Sequence, residues 1–136
     1  MKHKTIWPVR VYYESTDAGG VVYHSEYLKF YERARTEWLR SLGFEQQKLR
    51  SHDGILFVVR KLQIKYIQPA RFDELLHVNS WLTKMGRSRF VFEQTLLRNE
   101  ETLNQATVEV VCVEDITFKP TALPPHIHQQ FESILS

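Results

Sequence analysis

The spacing of apolar residues changes period twice along this chain, and few architectures accommodate that. Val9, Val11 and Tyr13 alternate with Arg10, Tyr12 and Glu14, the period-two pattern of a strand with one buried face. From Ser25 the step lengthens to three and four residues. Tyr27, Phe30, Tyr31, Ala34, Trp38 and Leu42 line one side of a helix, while Lys29, Glu32, Arg33, Thr36, Glu37 and Arg40 fill the other. Ser25 stands at an N-cap position and Gly43 where a terminator belongs, which predicts a helix of about four to five turns. Beyond Gly54 the period returns to two.

Leu62, Ile64 and Tyr66 alternate with Lys61, Gln63 and Lys65 until Pro69 stops the run. Residues 76–83, 88–97 and 106–113 repeat this strand-like character, with turns at Met85-Gly86 and over residues 98–101. A short helical segment is read in residues 44–51, and a last helix over residues 126–135. One strand, one long helix and a run of antiparallel strands give an α+β fold. A single apolar helix stripe laid against one curved sheet buries both. No repeat, low-complexity tract or linker interrupts the pattern, so residues 1–136 are read as one domain. Its 43% hydrophobic content is enough for one core.

Composition narrows the function classes. Eighteen Lys and Arg against sixteen Asp and Glu leave a formal charge of +2, far from the basic stripe that grips a nucleic-acid backbone. The longest apolar run, residues 55–59, is much shorter than the roughly 18 residues of a spanning helix. The basic N-terminus is followed by no apolar stretch, so a secretory signal is not expected. Cys112 is the only cysteine, and the reading is a cytoplasmic protein without an intrachain disulfide. Cys112 sits among Val110, Val111 and Val113 and reads as a packed thiol. His126 and His128 lack companion ligands in sequence, so no metal is expected.

Residues 12–35, YYESTDAGGVVYHSEYLKFYERAR, hold the densest set of candidates for chemistry. An acid, two glycines and a histidine fall between strand and helix, a junction that often carries function on a rigid scaffold. Asp17 precedes Gly19 and Gly20, which permit close backbone approach or positive φ. His24 stands just before the helix, whose first turn offers unpaired N–H groups suited to a developing oxyanion. Taken alone, Asp-Ala-Gly-Gly is more readily a turn than a catalytic motif, and a histidine beside a helix start is more often structural than catalytic.

The sequence RVYYESTDAGGVVYHSEYLKFYERARTEWLR, residues 10–40, resembles the 4-hydroxybenzoyl-CoA thioesterase family of hotdog proteins, and within it the Tol-Pal-associated acyl-CoA thioesterases. FVVRKLQIKY and PARFDELL extend the likeness, which runs from Val9 to about Pro120. Ser15 departs from the acidic residue usual in that family. The resemblance implies a hotdog fold, an antiparallel β-sheet wrapped around one long central helix. It also implies homodimers that often pair into tetramers, with active sites at the subunit interface.

On that basis Asp17 corresponds to the family's catalytic aspartate and His24 to its histidine, with Tyr13 as a neighbour. The implied reaction is hydrolysis of an acyl-CoA thioester to a carboxylic acid and CoA, without cofactor or metal. Asp17 acts as a general base on water, or attacks the carbonyl to form an anhydride that water opens. N–H groups near Tyr23 and Ser25 are expected to polarise the carbonyl. The family often contacts CoA phosphates from the region of Arg87, Ser88 and Arg89, a segment that otherwise reads as a solvated hairpin. Acyl carrier protein is a further expected partner. Two other classes stay open: a hotdog dehydratase, and a non-catalytic module binding acyl carrier protein or a membrane-associated complex.

Overall fold

Strand-like patterning in five segments and helical spacing in one produce a sheet with a helix against its inner face. The computed structural model describes residues 3–135. In chain order it contains β1 (Thr5–Arg10), a 3-10 turn (Tyr13–Ser15), α1 (Glu26–Ser41), α2 (Gln46–Lys48), a π-helical turn (Leu49–Asp53), β2 (Ile55–Tyr66), β3 (Leu75–Met85), β4 (Arg89–Arg98), β5 (Glu101–Glu114) and α3 (Pro125–Ile134). The strands form one antiparallel sheet in the order β1-β3-β4-β5-β2. Hairpins join β3 to β4 and β4 to β5, whereas β1 and β2 are the two edges.

Every second residue on one face points at α1 and is buried: Leu76, Val78, Ser80 and Leu82 from β3, Phe90, Phe92, Gln94 and Leu96 from β4, Ala106, Val108, Val110 and Cys112 from β5. The facing stripe of α1 is Tyr27, Phe30, Tyr31, Ala34, Arg35, Trp38 and Leu39. Trp38 is the hub, edge-on to Phe92 at 4.8 Å and near Phe131 of α3 at 5.6 Å. This is the expected hotdog arrangement of sheet around helix. Gly43, at φ 89°, ends α1 in a conformation that other residues resist.

Several boundaries differ from the sequence reading. β1 stops at Arg10, and Tyr13 lies in the following turn, 78% exposed, instead of on the buried face. Val11 still exchanges backbone hydrogen bonds with Asp73 and Glu74, but the chain then curls away. β2 begins seven residues before Leu62 and carries a bulge between Val59 and Lys61. The turn expected over residues 98–101 shrinks to Asn99 and Glu100, because Asn99 adopts φ 55° and lets a tight hairpin close. Ser25 occupies the N-cap position in helical conformation, so its hydroxyl makes no capping bond.

The sheet has two ends with different residues. One gathers Arg10, Leu75, Arg98, Glu101 and Tyr66; the other gathers Met85, Arg89, Glu114 and Ile55. Helix α1 starts at the first end, where Tyr66 bonds to His24, and finishes toward the second, where Ser41 meets His3.

Candidate active site

The stretch from Asp17 to Val22 is folded onto the segment that precedes β3. Val21 bridges Arg71, Val22 N–H donates to the Ala70 carbonyl at 2.8 Å, and Phe72 N–H donates to the Gly20 carbonyl at 3.0 Å. Ala70 N–H in turn donates to the Tyr27 hydroxyl on α1 at 3.0 Å. Glu74 braces the outside, accepting from Arg71 N–H and pairing with Arg98 at 2.9 Å. The quoted PARFDELL segment is therefore the cradle of the loop that follows β1.

Within that cradle Asp17 accepts at Oδ1 from Gly19 N–H at 2.8 Å and from Val21 N–H at 3.4 Å. Its Oδ2 has no hydrogen-bond donor among the described residues, and the side chain is exposed. One oxygen is fixed by the loop's backbone while the other is left without a donor. A Cβ at Gly19 would lie 3.3 Å from Oδ1, so this position favours glycine for the sake of the carboxylate. Gly20, at φ 80°, makes the turn itself.

His24 is exposed two residues before α1 begins at Glu26, with its ring 4.4 Å from that of Tyr23. It lines a cleft of about 260 Å³ shared with Tyr27, Tyr66 and Gln68. No hydrogen bond joins Asp17 to His24 among the described residues. The Tyr66 hydroxyl donates to the His24 carbonyl at 3.0 Å, tying the end of β2 to this entry. Sequence spacing did not single out Tyr66, because the contact spans 42 residues.

The expected carbonyl-polarising groups are partly engaged elsewhere. Tyr23 N–H donates to the Ser15 carbonyl at 3.0 Å, and Glu26 N–H to the Tyr23 carbonyl at 2.9 Å. Tyr23 is thus unable to offer its N–H without opening the loop. Ser25 N–H has no partner among the described residues. Tyr13 packs edge-on to Phe72 at 5.6 Å, beside the cradle.

Arg87 and Ser88 connect β3 to β4, and Arg89 opens β4; Arg89 pairs with Glu109 at 3.3 Å. Their carbonyls are fixed, with Ser88 accepting from Cys112 N–H and Arg87 from Leu123 N–H. This segment sits at the opposite end of the sheet from Asp17, roughly 30 Å away by the length of β3. One chain does not bring the two groups together.

The thioesterase superfamily model matches residues 19–104, more than half of the chain and all of α1. The chain is 51% identical over 127 residues to the acyl-CoA thioester hydrolase YbgC of Escherichia coli O157:H7, covering 93% of this chain and 94% of that one. It is 48% identical over 128 residues to the acyl-CoA thioesterase YbgC of Haemophilus influenzae, covering 94% of each. Among solved structures, a probable thioesterase from Bartonella henselae superposes with a TM-score of 0.85 at 39% identity, over 89% of this chain and 99% of the other. A DHNA-CoA thioesterase from Staphylococcus aureus gives 0.91 at 27% identity, over 96% and 90%.

Proposed function

The chain belongs to the thioesterase superfamily, and from that premise we propose that it hydrolyses acyl-CoA thioesters with Asp17 as its acid-base or nucleophilic group. The observation that carries this reading is the Asp17 carboxylate, held at one oxygen by Gly19 and Val21 N–H groups and open at the other beside the start of α1. The two relatives named for acyl-CoA hydrolysis support the substrate class.

As a base, Asp17 takes a proton from water while the water oxygen bonds to the thioester carbonyl carbon. The tetrahedral oxyanion is met by Ser25 N–H and the positive end of α1. Collapse breaks the C–S bond, and the departing thiolate recovers the proton from Asp17. As a nucleophile, Asp17 bonds to the carbonyl carbon instead, the C–S bond breaks to release thiolate, and water then opens the anhydride, restoring the Asp17 carboxylate and giving the thiolate its proton. Both routes yield one carboxylic acid and one thiol. His24, just before the helix, orients the thioester, and Tyr66 fixes its backbone.

Assembly completes the site in this reading. Edge strand β1 is short and carries Pro8, which discourages further pairing, whereas β2 offers twelve residues with Val59 47% exposed. Antiparallel pairing of two β2 edges about a two-fold axis would reverse one sheet against the other. The Asp17 end of one protomer then faces the Arg87–Arg89 end of its partner, so that arginines reach the CoA phosphates. A cytoplasmic setting, tetramer formation, acyl carrier protein as alternative carrier and an association with the Tol-Pal envelope complex belong to this reading through the resemblance alone. No helix among the described residues is long and apolar enough to cross a membrane.

The test is free-thiol release from short-, medium- and long-chain acyl-CoAs by wild type and Asp17→Asn, with fold and assembly checked for both. Wild-type turnover reduced about 10²- to 10⁴-fold in the variant is expected. Absence of thiol release from every acyl-CoA and acyl carrier protein thioester would sink the hydrolase reading and turn attention to dehydration or carrier binding.

A further inference from the structure

Two apolar side chains stand in water on a turn that holds them there. In the turn after β5, Ile116 is 92% exposed and Phe118 58% exposed. Phe118 also adopts φ 59°, a left-handed conformation that a bulky residue resists. The turn itself is firmly built. Glu114 N–H donates to the Lys119 carbonyl at 2.9 Å, Phe118 N–H to the Glu114 carbonyl at 3.0 Å, and Asp115 N–H to the Gly54 carbonyl at 2.9 Å. Arg50 pairs with Asp115 at 2.7 Å, and the Thr117 hydroxyl donates to Glu114 at 3.0 Å. Backbone strain that the surroundings enforce, and that displays an aromatic ring to solvent, points to contact with a ligand or a partner.

The sheet decides where this turn can reach. Glu114 lies opposite Ile55, the first residue of β2, so the turn continues beyond that end of the strand. Antiparallel pairing of two β2 edges, the reading on which this inference rests, sets the Ile55 end of one strand beside the Tyr66 end of the other. Strands lie about 4.8 Å apart, so β5 of one protomer runs roughly 10 Å from β2 of its partner. Just past Tyr66 come Ile67 and Pro69, which with His24 line the cleft of about 260 Å³ at the helix entry. Tyr66 and Ile67 are themselves about half exposed. Within one chain the turn and this cleft stand at opposite ends of the twelve-residue β2, roughly 35–40 Å apart, so the turn cannot cover its own cleft. Across the two-fold axis an apolar projection and an apolar-lined cleft fall side by side.

We propose that Ile116 and Phe118 of one protomer form the outer apolar wall of its partner's active site, covering the acyl thioester beside His24. The substrate is then held by apolar groups from two chains, and the exposure of both side chains in a single chain is explained by the second copy and the substrate that cover them. A rigid turn suits this role, since side chains already fixed in the bound geometry lose little freedom when substrate arrives.

Cross-linking reads the seat of the turn directly. A bismaleimide with a reach on the order of 10 Å is applied to the full chain carrying Ile116→Cys and Ile67→Cys, and separately to Lys61→Cys, near the middle of β2, which probes the strand pairing itself. Covalent dimers are expected from Lys61→Cys alone and from the Ile116 and Ile67 pair together, but from neither member of that pair alone. Dimers through Lys61 without dimers through the pair overturn the proposal and leave the β2 pairing standing. Absence of both removes the pairing and this inference with it. Phe118→Gly keeps the turn, because glycine adopts φ 59° freely, and removes only the ring. On whichever of butanoyl-, octanoyl- and hexadecanoyl-CoA wild type cleaves fastest, this variant should raise KM about tenfold or more with kcat nearly unchanged. An unchanged KM in the folded dimer overturns the proposal. Unfolding Phe118→Gly and Asp17→Asn together and reassembling them gives mixed dimers in which Asp17 of one chain meets Phe118 of the other, so a component with wild-type KM is expected. A KM that stays raised places the turn in its own chain's site and overturns the proposal. Should no acyl-CoA be cleaved, the hydrolase reading fails, and the cross-links still accept or reject the seat of the turn.

Discussion

Cys112 is fully buried in β5, its sulfur 3.9 Å from the Ala122 carbonyl, and burial pushes the thiol up to about 11. In the unfolded chain a thiol titrates near 8.5. The folded state thus favours the protonated form: its stability contribution is complete below about pH 8.5 and declines as pH rises toward 11. At pH 8 the native thiol should react with an aromatic disulfide reagent about a hundredfold more slowly than the same chain in urea. Comparable rates in the two states would contradict this burial. The packed thiol was legible because valines surround it in sequence. Arg35 was not, since helical spacing assigns it to neither face and only the Gln94 contact from β4 reveals that it points inward. The engaged Tyr23 N–H was equally invisible, because its acceptor, Ser15, is selected by the loop's path and not by local spacing.

Helix α1 is the element that sequence describes best, for its aromatic positions recur at the spacing that buries them. Trp38 concentrates that packing between Phe92 of the sheet and Phe131 of α3. Trp38→Ala should lower the unfolding free energy by about 3–5 kcal/mol, read as a fall in the urea midpoint with an unchanged slope. A loss below about 1 kcal/mol would mean that α3 and the sheet do not share the core through this ring. The β1 boundary was less legible. Alternation of Val and Tyr persists past Arg10, but an apolar-polar pattern does not distinguish a buried aromatic from Tyr13, which covers Phe72 at the surface. Asn99 set the β4–β5 turn through its own backbone conformation, a property that a composition-based turn reading spreads over too many residues.

At the scale of the molecule, the antiparallel α+β architecture followed from one helix and a run of strands, whereas the strand order β1-β3-β4-β5-β2, with β2 paired to β5, did not. Local periodicity carries no information on which strands become neighbours. That order also decides how the candidate residues are distributed, with Asp17 at one end of the sheet and Arg87 to Arg89 at the other. Under the proposed pairing of β2 edges, each reaction centre draws its carboxylate from one chain and its arginines from the other. Two individually inactive proteins, Asp17→Asn and the double variant Arg87→Ala with Arg89→Ala, should therefore rescue each other when they are unfolded together and reassembled. Random dimers from an equal mixture would contain about a quarter of the wild-type number of intact centres, whereas a site built within one chain would give none. The inheritance of activity in such a mixture makes the layout of the sheet readable as genetic complementation between two defective copies of one gene.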